Sequence, residues 1–202
     1  MSRPLVISDC DEVLLHFVGP FGAYLQSAHE LTLHLESFAL TGNIRRAGGE
    51  AIDPTEFMPL LDSFFATHMA TQTPAPGAAA ALATLARDCD IVILTNVGDQ
   101  HEGVRTSELA RLGMPYRVVC NSGPKGRPVR ALLDEYRPSH AAFIDDLPPH
   151  HSSVRRETPE VFRLHMVADP QLRPLIPAAV DADARIDDWP TALIRLQSVL
   201  EL

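Results

Sequence analysis

PLVISDCDE, residues 4–12, is a short apolar run, partly β-branched, that stops on acids. It reads as a buried strand presenting Asp9 and Asp11 at its carboxyl end. A stronger run of the same kind, DIVILTN at residues 90–96, ends on Thr95 and Asn96. Three more candidate strands follow: RVVC at 117–120, AAFIDD at 141–146 and VFRLHMV at 161–167. Helical patterns lie between most of them. Residues 77–87 are alanine-rich and entered through PAPG, and residues 102–112 are periodic and stop at Gly113. Residues 128–136 begin with Pro128, and residues 189–200 follow Asp188 with Pro190 at their start. Strands alternating with helices predict an α/β protein built on a doubly wound parallel sheet, covered on both faces.

Residues 19–73 break this rhythm, being too long for one crossover between the first two strands. Asp53-Pro54-Thr55-Glu56 is a capping-box start with Pro at the first helical position. The helix it opens carries Phe57, Leu60, Leu61, Phe64 and Met69 on one apolar stripe. Residues 21–29 suggest another helix, and residues 31–38 fit helix or strand. The expected organisation is a core of residues 1–18 and 74–202 with a small, mainly helical insertion at 19–73.

Composition narrows the classes. The 202 residues are 46% apolar and 21% charged, as for one folded domain with a modest insertion. A net charge of −9 argues against a phosphate-tracking nucleic-acid surface and against an anionic membrane surface. Cys10, Cys89 and Cys120 stand far apart, which fits a reducing compartment. Early acids argue against a signal-peptide core, and no run approaches the ~18 apolar residues of a membrane span, so cytoplasm is expected. Of 17 basic residues only Lys125 is a lysine, placed in the loop SGPKGRP. Either chance or a need for a compact point charge accounts for it.

In a parallel α/β sheet, ligands bind beyond the carboxyl ends of the strands. Asp9, Asp11, Thr95, Asp145, Asp146 and the loop bearing Lys125 all fall on that rim. In order, VISDCDEVL, IVILTN, PKGRPVRALL and AFIDD resemble the four motifs of the haloacid dehalogenase superfamily of phosphohydrolases. The resemblance spans the whole chain and makes residues 19–73 a cap inserted between the first two motifs. Two departures are visible: Gly126 follows the lysine where many members have Pro, and Glu12-Val13 replaces the common Gly-Thr.

The resemblance implies a Mg²⁺-dependent phosphatase acting on a small phosphorylated metabolite. Asp9 would be the nucleophile that forms an aspartyl-phosphate, and Asp11 the acid and later the base. Asp9, the Asp11 backbone carbonyl and Asp145 would hold the metal, with Asp146 nearby. Thr95 and Lys125 would hold the phosphoryl group, with Asn96 beside them. Crowded carboxylates should push one of their number upward, which would suit Asp11 as an acid. A phosphotransferase or phosphomutase, or a non-catalytic binding protein, are the competing readings. Monomer and homodimer are equally open.

Bland readings stand beside these. Asp9 and Asp11 also suit a turn after a strand, Thr95-Asn96 a helix start, and Asp146 a helix N-terminal acid before Pro148. His29 and His34 are five apart and share no helix face, so HExxxH is no zinc site. SGPKGRP lacks the length and the hydroxyl of a P-loop. Cys10 reads as a small packed side chain, and His150-His151 as a solvated pair. Arg45 and Arg46 read as a solvated pair or, with His34, as cap contacts to substrate.

Overall fold

The computed structural model describes residues 2–35, 40 and 42–202. In chain order the elements are β1 (Leu5–Ser8), α1 (Val18–His29), β2 (Thr32–Leu33), β3 (Ile44–Arg45), α2 (Pro54–Thr67), α3 (Ala78–Leu85), β4 (Asp90–Thr95), α4 (Glu102–Arg111), β5 (Arg117–Cys120), α5 (Gly126–Tyr136), β6 (Ala141–Asp145), α6 (Pro148–Glu157), β7 (Phe162–His165), β8 (Ala184–Arg185) and α7 (Trp189–Val199). The main sheet has six strands in the order β5-β4-β1-β6-β7-β8, and every neighbouring pair is parallel. The expected α/β fold with a parallel sheet is the fold observed.

The sheet is buried on both faces because helices cover both. Along β1, Leu5 and Ile7 pack with Val129, Leu132 and Phe143 on the side of α5 and α6. Val6, between them, points the other way, towards Leu82, Trp189 and Leu196 of α3 and α7. The chain runs outward from β1 through β4 to β5, then returns to the opposite side of β1 at β6. That reversal opens a crevice at the carboxyl ends of β1, β4 and β6.

The segment between β1 and β4 has its own apolar cluster. Phe17 stacks on Phe21 at 5.2 Å and meets Phe64 edge-on at 5.5 Å between ring centroids. The cluster also takes in Val97, Leu172 and Ile176 from loops after β4 and β7, so the segment sits on the rim of the sheet. As the sequence predicts, α2 opens on a capping box. Asp53 accepts from the Thr55 N–H at 2.8 Å, and Glu56 accepts from the Asp53 N–H at 2.9 Å. The chain leaves and re-enters the core through two adjoining crossings. The His16 N–H donates to the Thr73 carbonyl at 2.9 Å and the Ala75 N–H to that of Leu14 at 2.8 Å.

Four details differ from the sequence-based expectation. Thr32 and Leu33 pair antiparallel with Arg45 and Ile44, so the ambiguous run at 31–38 starts as a strand; its residues 36–38 lie outside the described residues. α1 begins at Val18, and its first N–H groups are bound by a side chain from the core, Glu12. α5 begins at Gly126, not Pro128, with Lys125 as its N-cap. The two-residue strand β8 had no sequence signal, being too short to show a period.

Candidate functional site

β1 delivers its first acid while still in register. The Asp9 N–H continues the ladder by donating to the Ile144 carbonyl at 2.8 Å. The backbone then turns tightly, the Leu14 and Leu15 N–H groups both donating to the Cys10 carbonyl at 2.8 and 2.9 Å. Glu12 sits in that turn with φ of 59°, the left-handed region that a glycine in this position would adopt without strain.

Lys125 is fully buried, and its ammonium lies 2.7 Å from Asp9 Oδ1 and 2.7 Å from Asp145 Oδ2. The other Asp145 oxygen accepts from the Leu147 N–H at 2.8 Å. Ligand oxygens of Asp9, Asp145 and Asp146 all lie within 4.8 Å of one another. Burial, resisted by Lys125 and reinforced by Asp145, raises the Asp9 carboxyl to about 7. Burial and the neighbouring Asp145 and Asp9 charges push Asp146 well above the usual carboxylate range. For Asp145 burial is outweighed by Lys125, helped by His150 and His151, and its carboxyl lies below that range. Three buried carboxylates beside one ammonium make an oxygen-only donor set. Such a set fits a hard divalent cation of the Mg²⁺ type.

Thr95, the last residue of β4, is buried, and its hydroxyl has no hydrogen-bond partner among the described residues. Asn96 is not a helix cap: Gly98 precedes the short 3₁₀ turn that leads into α4. Its amide donates to the Gly123 carbonyl at 3.0 Å and its oxygen accepts from Asn121 at 2.8 Å, which ties the Thr95 loop to the Lys125 loop. Gly126 is explained by α6. Its N–H donates to Ser153 Oγ at 3.0 Å, and a Cβ there would overlap the Ser153 carbonyl oxygen. Proline could make neither arrangement.

No protein-family model matches the sequence, and no curated protein matches it. Solved structures do. A haloacid dehalogenase-like hydrolase of Streptococcus pneumoniae aligns with a TM-score of 0.68 at 12% identity, covering 96% of this chain and 98% of that one. A predicted phosphoglycolate phosphatase from Haemophilus somnus gives 0.68 at 13% identity over 96% and 97%. The magnesium-bound HAD-hydrolase candidate YfnB of Bacillus subtilis gives 0.65 at 13% identity over the whole of both chains. The chain has the haloacid dehalogenase fold.

Within the haloacid dehalogenase fold, Asp11 has side-chain partners that the sequence did not announce. Its side chain is outside the three-carboxylate cluster. Both its oxygens are held by N–H donors: Arg105 Nη2 reaches them at 3.0 and 2.9 Å, and Gln72 Nε2 reaches Oδ1 at 2.7 Å. Burial, reinforced by the neighbouring acids, raises the carboxyls of Asp9 and Asp146. Arg105 is fully buried, donates to Gln72 Oε1 at 2.9 Å and lies 5.4 Å from the Phe65 ring centroid. Sequence reasoning missed it. The available signal was its place between His101 and Leu109, at i−4 and i+4, on the buried stripe of the α4 segment.

The histidine pair also differs from expectation. His150 and His151 are buried, not solvated. His151 Nε2 lies 3.0 Å from the Asp145 carbonyl oxygen, and burial lowers the ring to about 4. Below it, His165 Nδ1 accepts from the Ala179 N–H at 3.0 Å, so its Nε2–H donates to the Asp146 carbonyl at 2.8 Å. Neutral imidazoles thus support the backbone of Asp145 and Asp146. Asp146 precedes α6, whose N-cap is Leu147, and faces the acidic cluster. Cys10 is fully buried and burial raises its thiol, as befits a packing side chain.

Proposed function

We propose that this chain is a Mg²⁺-dependent phosphatase of small phosphorylated metabolites, working through an aspartyl-phosphate on Asp9. The observation that carries the reading is the buried Lys125 ammonium bridging Asp9 and Asp145 on the ligand-binding rim. A phosphate monoester is a dianion. At 4 Å, two unit charges repel by roughly 4 kcal/mol at an effective dielectric of 20, so a carboxylate needs cations beside it to attack phosphorus. Lys125 supplies one. Asp9, Asp145, Asp146 and the Asp11 backbone carbonyl would hold Mg²⁺, which would add further neutralisation of the cluster and of the phosphoryl oxygens.

Each side chain then has a task. Asp9 attacks phosphorus as the bond to the leaving oxygen breaks, and water later cleaves the acyl phosphate. The unpaired Thr95 hydroxyl donates to a phosphoryl oxygen, which removes the cost of leaving it buried and unbonded. Asn96 holds the Thr95 and Lys125 loops together beside that oxygen. Asp11 delivers and later accepts the proton, which requires it to yield one of its contacts to Gln72 or Arg105. Residues 19–73 act as the cap over the core of residues 1–18 and 74–202, since both line one cavity beside the acids. Three free cysteines suit the cytoplasm. Among the described residues, no helix is long and apolar enough to cross a membrane.

The test is phosphate release from a panel of phosphorylated metabolites, with Mg²⁺ and with chelator. Release that needs Mg²⁺ and falls to background in Asp9→Asn supports the reading. Unchanged turnover in that variant overturns it. Isomer formation in place of phosphate release would make the enzyme a mutase.

A further inference from the structure

The cavity above the acids has two unlike ends. It measures about 330 Å³, at the small end of sites for organic ligands. Its polar lining residues are Asp9, Asp11, Glu12, Asn96, Asp146 and His150, all belonging to or adjoining the acidic rim. Among the described residues, the rest of the wall is hydrocarbon. α2 contributes Phe57, Leu61 and Phe65 at i, i+4 and i+8, so one face of that helix points into the cavity. Phe17 lines the cavity with them from the end of the first core segment, with Leu172 and Ile176 from the loop after β7. Among the described residues, no arginine, lysine, serine, threonine or tyrosine lines this wall. The basic side chains of the insertion are engaged elsewhere: Arg46 donates to Glu56 at 2.7 Å and Arg45 to the Gly49 carbonyl at 3.2 Å. Phe57 and Leu61 are only half-buried, and what they face is the cavity.

We infer that the group esterified to phosphate is apolar: a single aromatic ring or a short branched aliphatic chain. The inference rests on the phosphatase reading for the phosphate end and on the cavity wall for the other end. Sugar phosphates and phosphorylated carboxylic acids bring hydroxyls or a second anion for which the described residues of this wall offer no partner. One stranded hydroxyl against such a wall costs about a hundredfold in specificity. An apolar group instead gains about fourfold in affinity per buried methylene, from ~0.8 kcal/mol.

The experiment separates binding from turnover. Methyl-, propyl-, hexyl- and benzylphosphonate, which cannot be hydrolysed, are titrated into the Mg²⁺-loaded protein by calorimetry. Phosphate release is measured in parallel from propyl, hexyl and benzyl phosphate, glycerol phosphate and glucose 6-phosphate. The expected result is affinity rising about fourfold per methylene until the cavity is full, with kcat/KM highest for benzyl or hexyl phosphate. In Leu61→Gln, the ratio of benzyl- to methylphosphonate affinity should fall about tenfold. Affinity that is flat or falls with apolar length, or higher kcat/KM for glycerol or glucose phosphate, overturns the inference and leaves the phosphatase reading intact. Rising phosphonate affinity with no phosphate release from any ester supports an apolar-tailed ligand and overturns the phosphatase reading.

Discussion

One guanidinium nitrogen of Arg105 binds both carboxylate oxygens of Asp11, at 3.0 and 2.9 Å, across 94 residues of chain. Arg105 is fully buried while the Asp11 side chain keeps 20% of its exposure, so the two ends are unequal. Removing Asp11 strands a charge inside the protein; removing Arg105 leaves a carboxylate that water can still reach. Asp11→Ala is expected to cost about 3–5 kcal/mol and Arg105→Met about 2–3 kcal/mol. A double-mutant cycle by denaturant unfolding should give a coupling above about 1 kcal/mol. Additive losses would show that the contact does not hold Asp11 in place.

Lys125 has no room to become a fork. Its ammonium is fully enclosed between Asp9 and Asp145, and the next residue is pressed against α6. Lys125→Arg is expected to lower kcat by on the order of 10²–10³, as for loss of one preorganised donor. Steady-state kinetics on any turned-over ester decides it. Activity near that of the parent would make the lone lysine an accident of composition.

Mg²⁺ should stabilise the fold without any substrate. At 100 times its Kd, binding to the native state alone adds about 2.7 kcal/mol. Thermal unfolding with Mg²⁺ and with chelator reads this directly. Asp145→Asn and Asp146→Asn should each reduce the gain, whereas Asp11→Asn, whose carboxylate lies outside the cluster, should keep most of it.

Glu12 makes stability depend on pH. One oxygen accepts from the Phe17 and Val18 N–H groups at 2.8 and 2.7 Å, and the other is buried without a partner among the described residues. Burial raises its carboxyl from 4.5 to about 7, despite those N–H groups. The folded state therefore keeps a proton that the unfolded chain has released. Its contribution is complete below about 4.5 and is lost as pH rises through about 7, a difference of about 3 kcal/mol. Glu12→Gln keeps an acceptor for the two N–H groups and cannot ionise. Denaturant curves from pH 4 to 8 should show the parent losing stability relative to Glu12→Gln across that window, and parallel curves would refute it.

The contact between α5 and α6 leaves no space for a methyl group at position 126. Gly126→Ala is expected to destabilise by about 1–3 kcal/mol through overpacking against the Ser153 backbone. Gly103, with open space around its Cβ position, is the control, and there alanine should be neutral or stabilising.

What was legible in the sequence were the features encoded locally. The runs ending at Asp9, Thr95 and Asp145, the capping box at Asp53 and the isolated Lys125 each declare themselves within a few residues. What was not legible depends on partners far along the chain. Arg105 looks like any helical arginine until Asp11 and Gln72 surround it, and nothing local marks His151 as lying beneath Asp145. The hydrocarbon wall was visible only in part. The stripe on α2 was evident, but the division of its residues between packing and cavity follows from where Leu172 and Ile176 sit. Glu12 stood out as a departure, and its reason is the N-terminus of α1, which it binds.

The paired crossings at His16–Thr73 and Leu14–Ala75 bring both ends of the inserted segment to one point on the core. In genetic terms this makes the segment a cassette. An insert of another length joins the same two ends, and doubling a loop costs only about 0.6 kcal/mol in closure entropy. The acidic rim and the α2 side of the cavity wall therefore lie on segments that can change independently: the first by substitutions at the strand ends, the second by exchange of the insert.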